Sequence, residues 1–214
     1  MENLNQSYFL GLQSYDSDLD QLRTFAETNK VPIVDQLSLD LVKQIIRIHQ
    51  PKEILELGTA IGYSSMHFAS VSPDVHVTTI ERNEEMIDYA KSHFLQFGYT
   101  EQIRLIEEDA AQAFSMVNDR TYDMIFIDAA KAQSQKFFEL YSPLLKEGGI
   151  IITDNVLYHG FVANIDIVRS RNVKQMVRKV QKFNQWLSEQ SDFKTNFINM
   201  DDGLAISIKE RKND

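Results

Sequence analysis

Asp128, Lys131, Asp154 and Asn155 are the residues of this 214-residue chain whose types and spacing point most directly to chemistry. Asp128 ends the apolar run Tyr122 to Ile127, and Lys131 follows three residues later. Asp154 and Asn155 end a second such run, "GGIIITDNV". If the two runs are neighbouring strands, two carboxylates and one amide oxygen converge. Such a set, without His or Cys, suits a hard cation such as Mg²⁺, which keeps other positions for water and substrate. Taken singly, each Asp reads more simply as a cap on the helix that follows it, and Lys131 as a surface partner of Asp128. The occurrence of all four together favours the metal site.

The ends of three other runs suggest a nucleoside. "ELGTAIGYSS" places Gly58 and Gly62 at a strand-to-helix turn, where glycine allows a tight bend and a ligand's close approach. Glu81 ends the next run, nineteen residues after Gly62, where a carboxylate can accept hydrogen bonds from both hydroxyls of a ribose. Asp109 ends the third, at the level of an adenine amino group. The glycine spacing is not the G-x-G-x-x-G of dinucleotide sites, so a nucleoside without phosphates fits better.

These residues need a scaffold, and the pattern of the chain supplies one. Helical segments at Asn5–Asn29 and Leu37–His49 come first, the second closed by Pro51. Five strand candidates then alternate with helical stretches: "KEILELGT", "VHVTTIER", "IRLIEED", "YDMIFIDA" and "GGIIITDNV". The helical stretches are Ser64–Ser70, Glu84–Phe97, Ala110–Val117 and Lys131–Lys146. Alternation of this kind predicts a mostly parallel sheet with right-handed crossovers. The first, fourth and fifth strands are apolar on both faces, as central strands are. A long helix is expected over about Asp166–Gln190. Two last strands, "FKTNFINM" and "GLAISIKE", meet at an Asp-Gly turn that predicts an antiparallel hairpin. One domain over residues 1–214 is expected, with residues 1–50 a helical addition. Phe137, Phe138 and Trp186 read as core, and His159 as a loop or packing residue.

Composition narrows the possibilities further. The chain has no cysteine, which excludes disulfides and thiolate metal sites. No apolar run approaches the ~20 residues of a membrane span, and the N-terminus lacks a signal-peptide pattern, so the expected setting is the cytoplasm. A net charge of −9 argues against nucleic-acid binding by the whole surface. It leaves room for a local basic patch, and there is one. Ile167 to Leu187 holds Arg169, Arg171, Lys174, Arg178, Lys179 and Lys182 and no acidic residue. By itself such a run reads as a solvated helix face.

"ELGTAIGYSS", "IERN", "FIDAAK" and "GGIIITDNVL" together resemble the cation-dependent O-methyltransferases of the catechol and caffeoyl-coenzyme A type. The resemblance extends from about Val31 to Ile208. It implies a class I methyltransferase fold, a Rossmann-like sheet of seven strands, with S-adenosylmethionine as methyl donor and Mg²⁺ or a similar ion. It makes Asp128, Asp154 and Asn155 the metal ligands, Lys131 the base and Glu81 the ribose ligand. Val34, Gly58, Ser64, Asp109, Ala110 and Asp128 would line the donor site. "VPIVDQ", "ITDNVLYHG", "FNQWL" and "DGLAIS" are most similar to the bacterial tRNA 5-hydroxyuridine methyltransferases. That likeness implies a tRNA anticodon loop as partner, with Arg169 to Lys182 as contact, and a homodimer. The alternatives are the same chemistry on a small catechol-like acceptor, a nicotinamide-dependent oxidoreductase and a non-catalytic nucleoside-binding module.

Overall fold

The computed structural model describes residues 4–15 and 17–211; the remaining positions of the expected 1–214 domain lie outside the described residues. Seven strands form one sheet in the order β3-β2-β1-β4-β5-β7-β6. They are β1 Glu53–Leu57, β2 His76–Glu81, β3 Ile103–Glu107, β4 Tyr122–Ile127, β5 Leu145–Asp154, β6 Phe193–Ile198 and β7 Leu204–Lys209. The first five pair in parallel, whereas β7 pairs antiparallel to both β5 and β6. The expected class I architecture and closing hairpin are therefore present. Strands β1, β4 and β5 are the interior strands that their two-faced apolarity predicted.

Side-chain alternation divides the core between the sheet's faces. Ile54, Met124, Phe126, Ile150 and Ile152 join one buried cluster, covered by α2 Gln21–Asn29, α3 Gln36–His49, α4 Tyr63–Ala69 and α5 Glu84–Gln96. Leu55, Leu57, Ile125, Ile127 and Ile151 face the other cluster, under α6 Phe114–Val117, α7 Ser134–Tyr141 and α8 Arg171–Ser188. Phe137 and Phe138 lie in this second cluster, and Trp186 packs edge-on to Phe138, as expected of core residues.

Several boundaries differ from the sequence expectation. The first helical stretch is two helices, α1 Leu4–Leu10 and α2, since α1 ends at Gly11. The helix expected over Lys131–Lys146 is a 3-10 turn at Lys131–Gln133, α7, and a second 3-10 turn at Ser142–Leu144. Pro143 tightens that second turn, and Lys146 already belongs to β5. The stretch after β3 is helical only at Phe114–Val117. Helix α8 starts later than expected because Ser170 caps it, accepting from Val173 N.

Helix α3 is capped from a distance. Asp35, the residue before it, makes no capping bond, and Ser38 N donates instead to Asp201 Oδ2 at 2.7 Å. Asp201 lies in the β6–β7 turn with φ 49°, so the hairpin is fastened to the N-terminus of α3.

Candidate active site

Strand order reverses between β1 and β4: β2 and β3 lie to one side of β1, and β4 returns to its other side. The crevice beyond the ends of these strands is where open parallel sheets bind ligands. Here it is a cavity of about 660 Å³, a size suited to a nucleoside-bearing ligand. Val34, Gly58, Ser64, Glu81, Asp109 and Ala110 all line it, and so do Asp128, Lys131, Asp154 and Asn155. Every residue that the resemblance assigns to the donor, the metal or the base is thus brought to one chamber, whereas Gly62, His159 and the basic run Arg169 to Lys182 lie outside its lining.

Gly58 marks the closest approach of the two strand ends. Its φ is +98°, and an added Cβ would stand 2.5 Å from the carbonyl oxygen of Asp128. Only glycine meets both demands. The Glu81 carboxylate is aimed by backbone amides. Ala60 N donates to one oxygen at 3.0 Å, and Arg82 N and Asn83 N donate to the other at 2.9 Å each. Fixed in this way on the cavity wall, it suits the paired hydroxyls of a ribose. Asp109 accepts from Ala111 N and Arg82, which hold its carboxyl below the usual range.

Asp128 and Asp154 are not helix caps. Asp154 Oδ1 accepts only the amide of the next residue, and the turn after Asp128 has no side-chain cap. Asn155 Nδ2 donates to Asp128 Oδ1 at 2.9 Å, and Lys131 Nζ donates to Asn155 Oδ1 and, at 3.3 Å, to Asp202 Oδ2. The surface pairing of Lys131 with Asp128 is therefore replaced by one with Asp202 and the amide. Burial pushes the Asp128 carboxyl well above the carboxylate range, and the neighbouring Asp154 adds to this. Burial also raises Asp154. Two half-buried acids that repel each other, with an adjoining amide, are a donor set that fits a hard divalent cation. Among the described residues no three His, Cys, Asp or Glu side chains gather into a metal cage, and this set has only two, with the Asn155 amide as its third donor.

The mouth loop, residues 156–160, leaves the edge of the chamber at Asn155. Asn155, Tyr158 and His159 all have positive φ, a conformation costly for side-chain-bearing residues. Bonds from the β6–β7 turn hold it: Val156 N and Leu157 N donate to the carbonyls of Gly203 and Asp202, and His159 N donates to the Asp202 carboxylate. His159 is 66% exposed in this loop, and its ring lies against Tyr158 and Phe161, in keeping with its reading as a loop or packing residue. An added Cβ on Gly203 would stand 2.5 Å from Leu157 Cγ, so this turn and loop require glycine there.

Three features escaped the sequence reading. One is the rest of the wall around Val34: residues 29–35, before α3, line the cavity together, held by Arg23, which donates to Val34 O at 2.9 Å. Asp202 anchors both Lys131 and the mouth loop. Glu56, buried beneath the glycine turn, accepts from Ser64, Ser65 and Thr79 hydroxyls, and burial raises its carboxyl to about 7. Only an acid inside an otherwise apolar strand hinted at Glu56.

Because the folded pKa of Glu56 lies above its unfolded value, the native state binds more protons between about pH 4.5 and about 7. The Glu56 contribution to stability should then fall as pH rises through that window and level off above it. Urea midpoints of wild type and Glu56→Gln, compared across it, should diverge in favour of the variant with rising pH. A constant difference would mean that Glu56 does not titrate there.

The fold and the chamber define a class I, nucleoside-binding transferase scaffold. The chain matches the O-methyltransferase family over residues 13–210 and belongs to that family. It is 63% identical to a crystal structure from Staphylococcus aureus provisionally named a caffeoyl-CoA O-methyltransferase, covering 97% of this chain and 100% of that one with a TM-score of 0.93. It is 25% identical over 214 residues to the caffeoyl-CoA O-methyltransferase of Populus kitakamiensis, with coverage of 94% and 91%. The fold is shared with TomG of Streptomyces achromogenes, solved with S-adenosylmethionine, at 24% identity, coverage of 99% and 100%, and a TM-score of 0.84. Family membership sets aside the nicotinamide-dependent reading.

Proposed function

We propose that this chain moves a methyl group from S-adenosylmethionine to the 5-hydroxyl of 5-hydroxyuridine at the tRNA wobble position, giving 5-methoxyuridine in the cytoplasm. The observation that carries the RNA acceptor is helix α8. None of Arg169, Arg171, Lys174, Arg178, Lys179 and Lys182 forms an ion pair among the described residues. The same helix packs on the acceptor side of the chamber, where Asn184 Nδ2 donates to Val156 O and Gln181 Nε2 to Val162 O. Unpaired cations beside the reaction centre of a protein with net charge −9 suit a polyanion. Unpaired loop bases can be splayed out of a tRNA into such a pocket.

Asp128, Asp154 and Asn155 would hold Mg²⁺, which when bound lowers the pKa of an acceptor hydroxyl. Lys131 Nζ, beside Asn155, takes the proton of that hydroxyl. Glu81 and Asp109 would hold the donor's ribose and adenine, and Gly58, which has no side chain, would leave room for the donor beside the end of β4. The acceptor oxygen forms its bond to the methyl carbon as the carbon–sulfur bond breaks, which neutralises both charges. Alignment of the three atoms supplies much of the rate. Exposed Leu4, Tyr8, Phe9 and Leu12 at the N-terminus support a homodimer built through these helices.

The test is nucleoside mass spectrometry of tRNA carrying 5-hydroxyuridine after incubation with S-adenosylmethionine and Mg²⁺. Chelator-sensitive 5-methoxyuridine is the expected product. Methylation of catechol with the tRNA unchanged would favour the second reading, a small catechol-like acceptor, which the names of the plant relatives support. Removing Arg171, Lys174, Arg178 and Lys182 together should weaken tRNA binding and flatten its salt dependence by up to about one log unit per lost phosphate contact. Equal affinity and slope would return α8 to a solvated face.

A further inference from the structure

A second cavity, of about 370 Å³, lies between α8 and the edge strand β6, behind the mouth loop. Val156, Leu157, Val162 and Ile198 give it an apolar floor. Its rim carries Gln185 and Asn199, and the Phe197 ring is 43% exposed beside them. Among the described residues the Asn199 side-chain amide makes no hydrogen bond, and the Gln185 side chain uses only its NH₂ group, toward Glu189. A flat ring, an apolar slot and free amide groups match the faces and edges of a nucleobase, which proteins hold by stacking and amide hydrogen bonds.

The charge around this slot selects the kind of molecule that brings the base. Lys174, Arg178, Gln181 and Gln185 recur at steps of four, three and four residues, so they share one face of α8. Two cations without acidic partners therefore continue the stripe that forms the slot's wall. The floor residues Val156 and Leu157 follow directly after Asn155, which links the slot to the reaction centre along the chain.

We infer that this groove is a docking site for a second unpaired nucleobase of the RNA acceptor, with the adjoining phosphates on Lys174 and Arg178. The inference rests on the RNA reading above. Phe197 stacks on the base, and Asn199 and Gln185 meet its edge. Holding a neighbouring nucleotide there orients the strand so that the acceptor base enters the catalytic chamber.

The test measures binding of an anticodon stem-loop RNA to the full chain by fluorescence anisotropy, without donor. Phe197→Leu keeps an apolar side chain but removes the ring, and Asn199→Ala is an independent variant at the rim. Loss of base stacking should weaken binding about tenfold in Phe197→Leu. An abasic substitution at one loop position should cost as much in wild type and little more in the variant. Methylation of the free 5-hydroxyuridine nucleoside should be the same for both proteins. Wild-type affinity in both variants, with binding still lost on removal of the α8 cations, would overturn the nucleobase slot and leave the RNA reading standing. An absence of RNA binding by wild type would overturn both.

Discussion

Replacing Lys131 by alanine should lower the single-turnover rate of methyl transfer by about 10²–10⁴-fold, the usual worth of a positioned proton acceptor. Affinity for S-adenosylmethionine should stay near that of wild type, because Glu81 and Asp109 are oriented by bonds that do not involve Lys131. The separation matters, since Lys131 also holds Asn155 and Asp202 in place. A variant that merely loosened the site would impair donor binding as well. Lys131→Arg sharpens the test: it keeps the cation and its hydrogen bonds but cannot give up a proton near neutral pH. If Lys131→Arg were as active as wild type, the side chain would serve as an electrostatic tie and the proton would leave by another route. Rapid-quench methylation, with donor affinity by calorimetry, reads both quantities.

What was legible in the sequence and what was not divide along a physical line. Strand burial follows local pattern, so β1, β4 and β5 showed themselves as interior strands by apolarity on both faces. Gly58, Glu81, Asp128 and Asp154 were legible because each sits at a strand end, where topology alone directs it to the crevice. The simpler reading of Lys131 as a surface partner of Asp128 does not hold, since Lys131 bonds to Asn155 and Asp202. Asp202 was invisible because its bond to Lys131 spans 71 residues, and it looked like turn chemistry. The Asp201 cap on Ser38 spans 163 residues and displaces the local candidate, Asp35. Arg23 and the neighbours of Val34 in the wall before α3 were missed for the same reason. Residues 1–50 looked like an addition, yet one connecting segment among them, residues 29–35, forms a wall of the chamber.

The second large effect concerns the two half-buried acids, Asp128 and Asp154. Asp154→Ala and Asp128→Ala should each abolish the response of activity to Mg²⁺ and chelator, and should lose Mg²⁺ binding measured by calorimetry. The loss should exceed the ~10–100-fold cost of removing a residue that only supports a ligand. Asp154→Asn keeps the shape of the side chain and removes its charge. Without metal it should be at least as stable as wild type near neutral pH, because it relieves a repulsion between two acids that burial already disfavours as anions. Wild type should gain thermal stability on addition of Mg²⁺, and the variant should not. This contrast between stability and binding distinguishes a metal site from a structural one: a purely structural Asp154 would lose stability on replacement and leave the Mg²⁺ response intact. Glu81→Gln is the complementary control, weakening the donor while leaving Mg²⁺ binding unchanged. If Asp128→Ala and Asp154→Ala bound Mg²⁺ as wild type does, the cation would have to be held elsewhere. The cluster would then be a network of half-buried acids organised around Lys131 and Asn155.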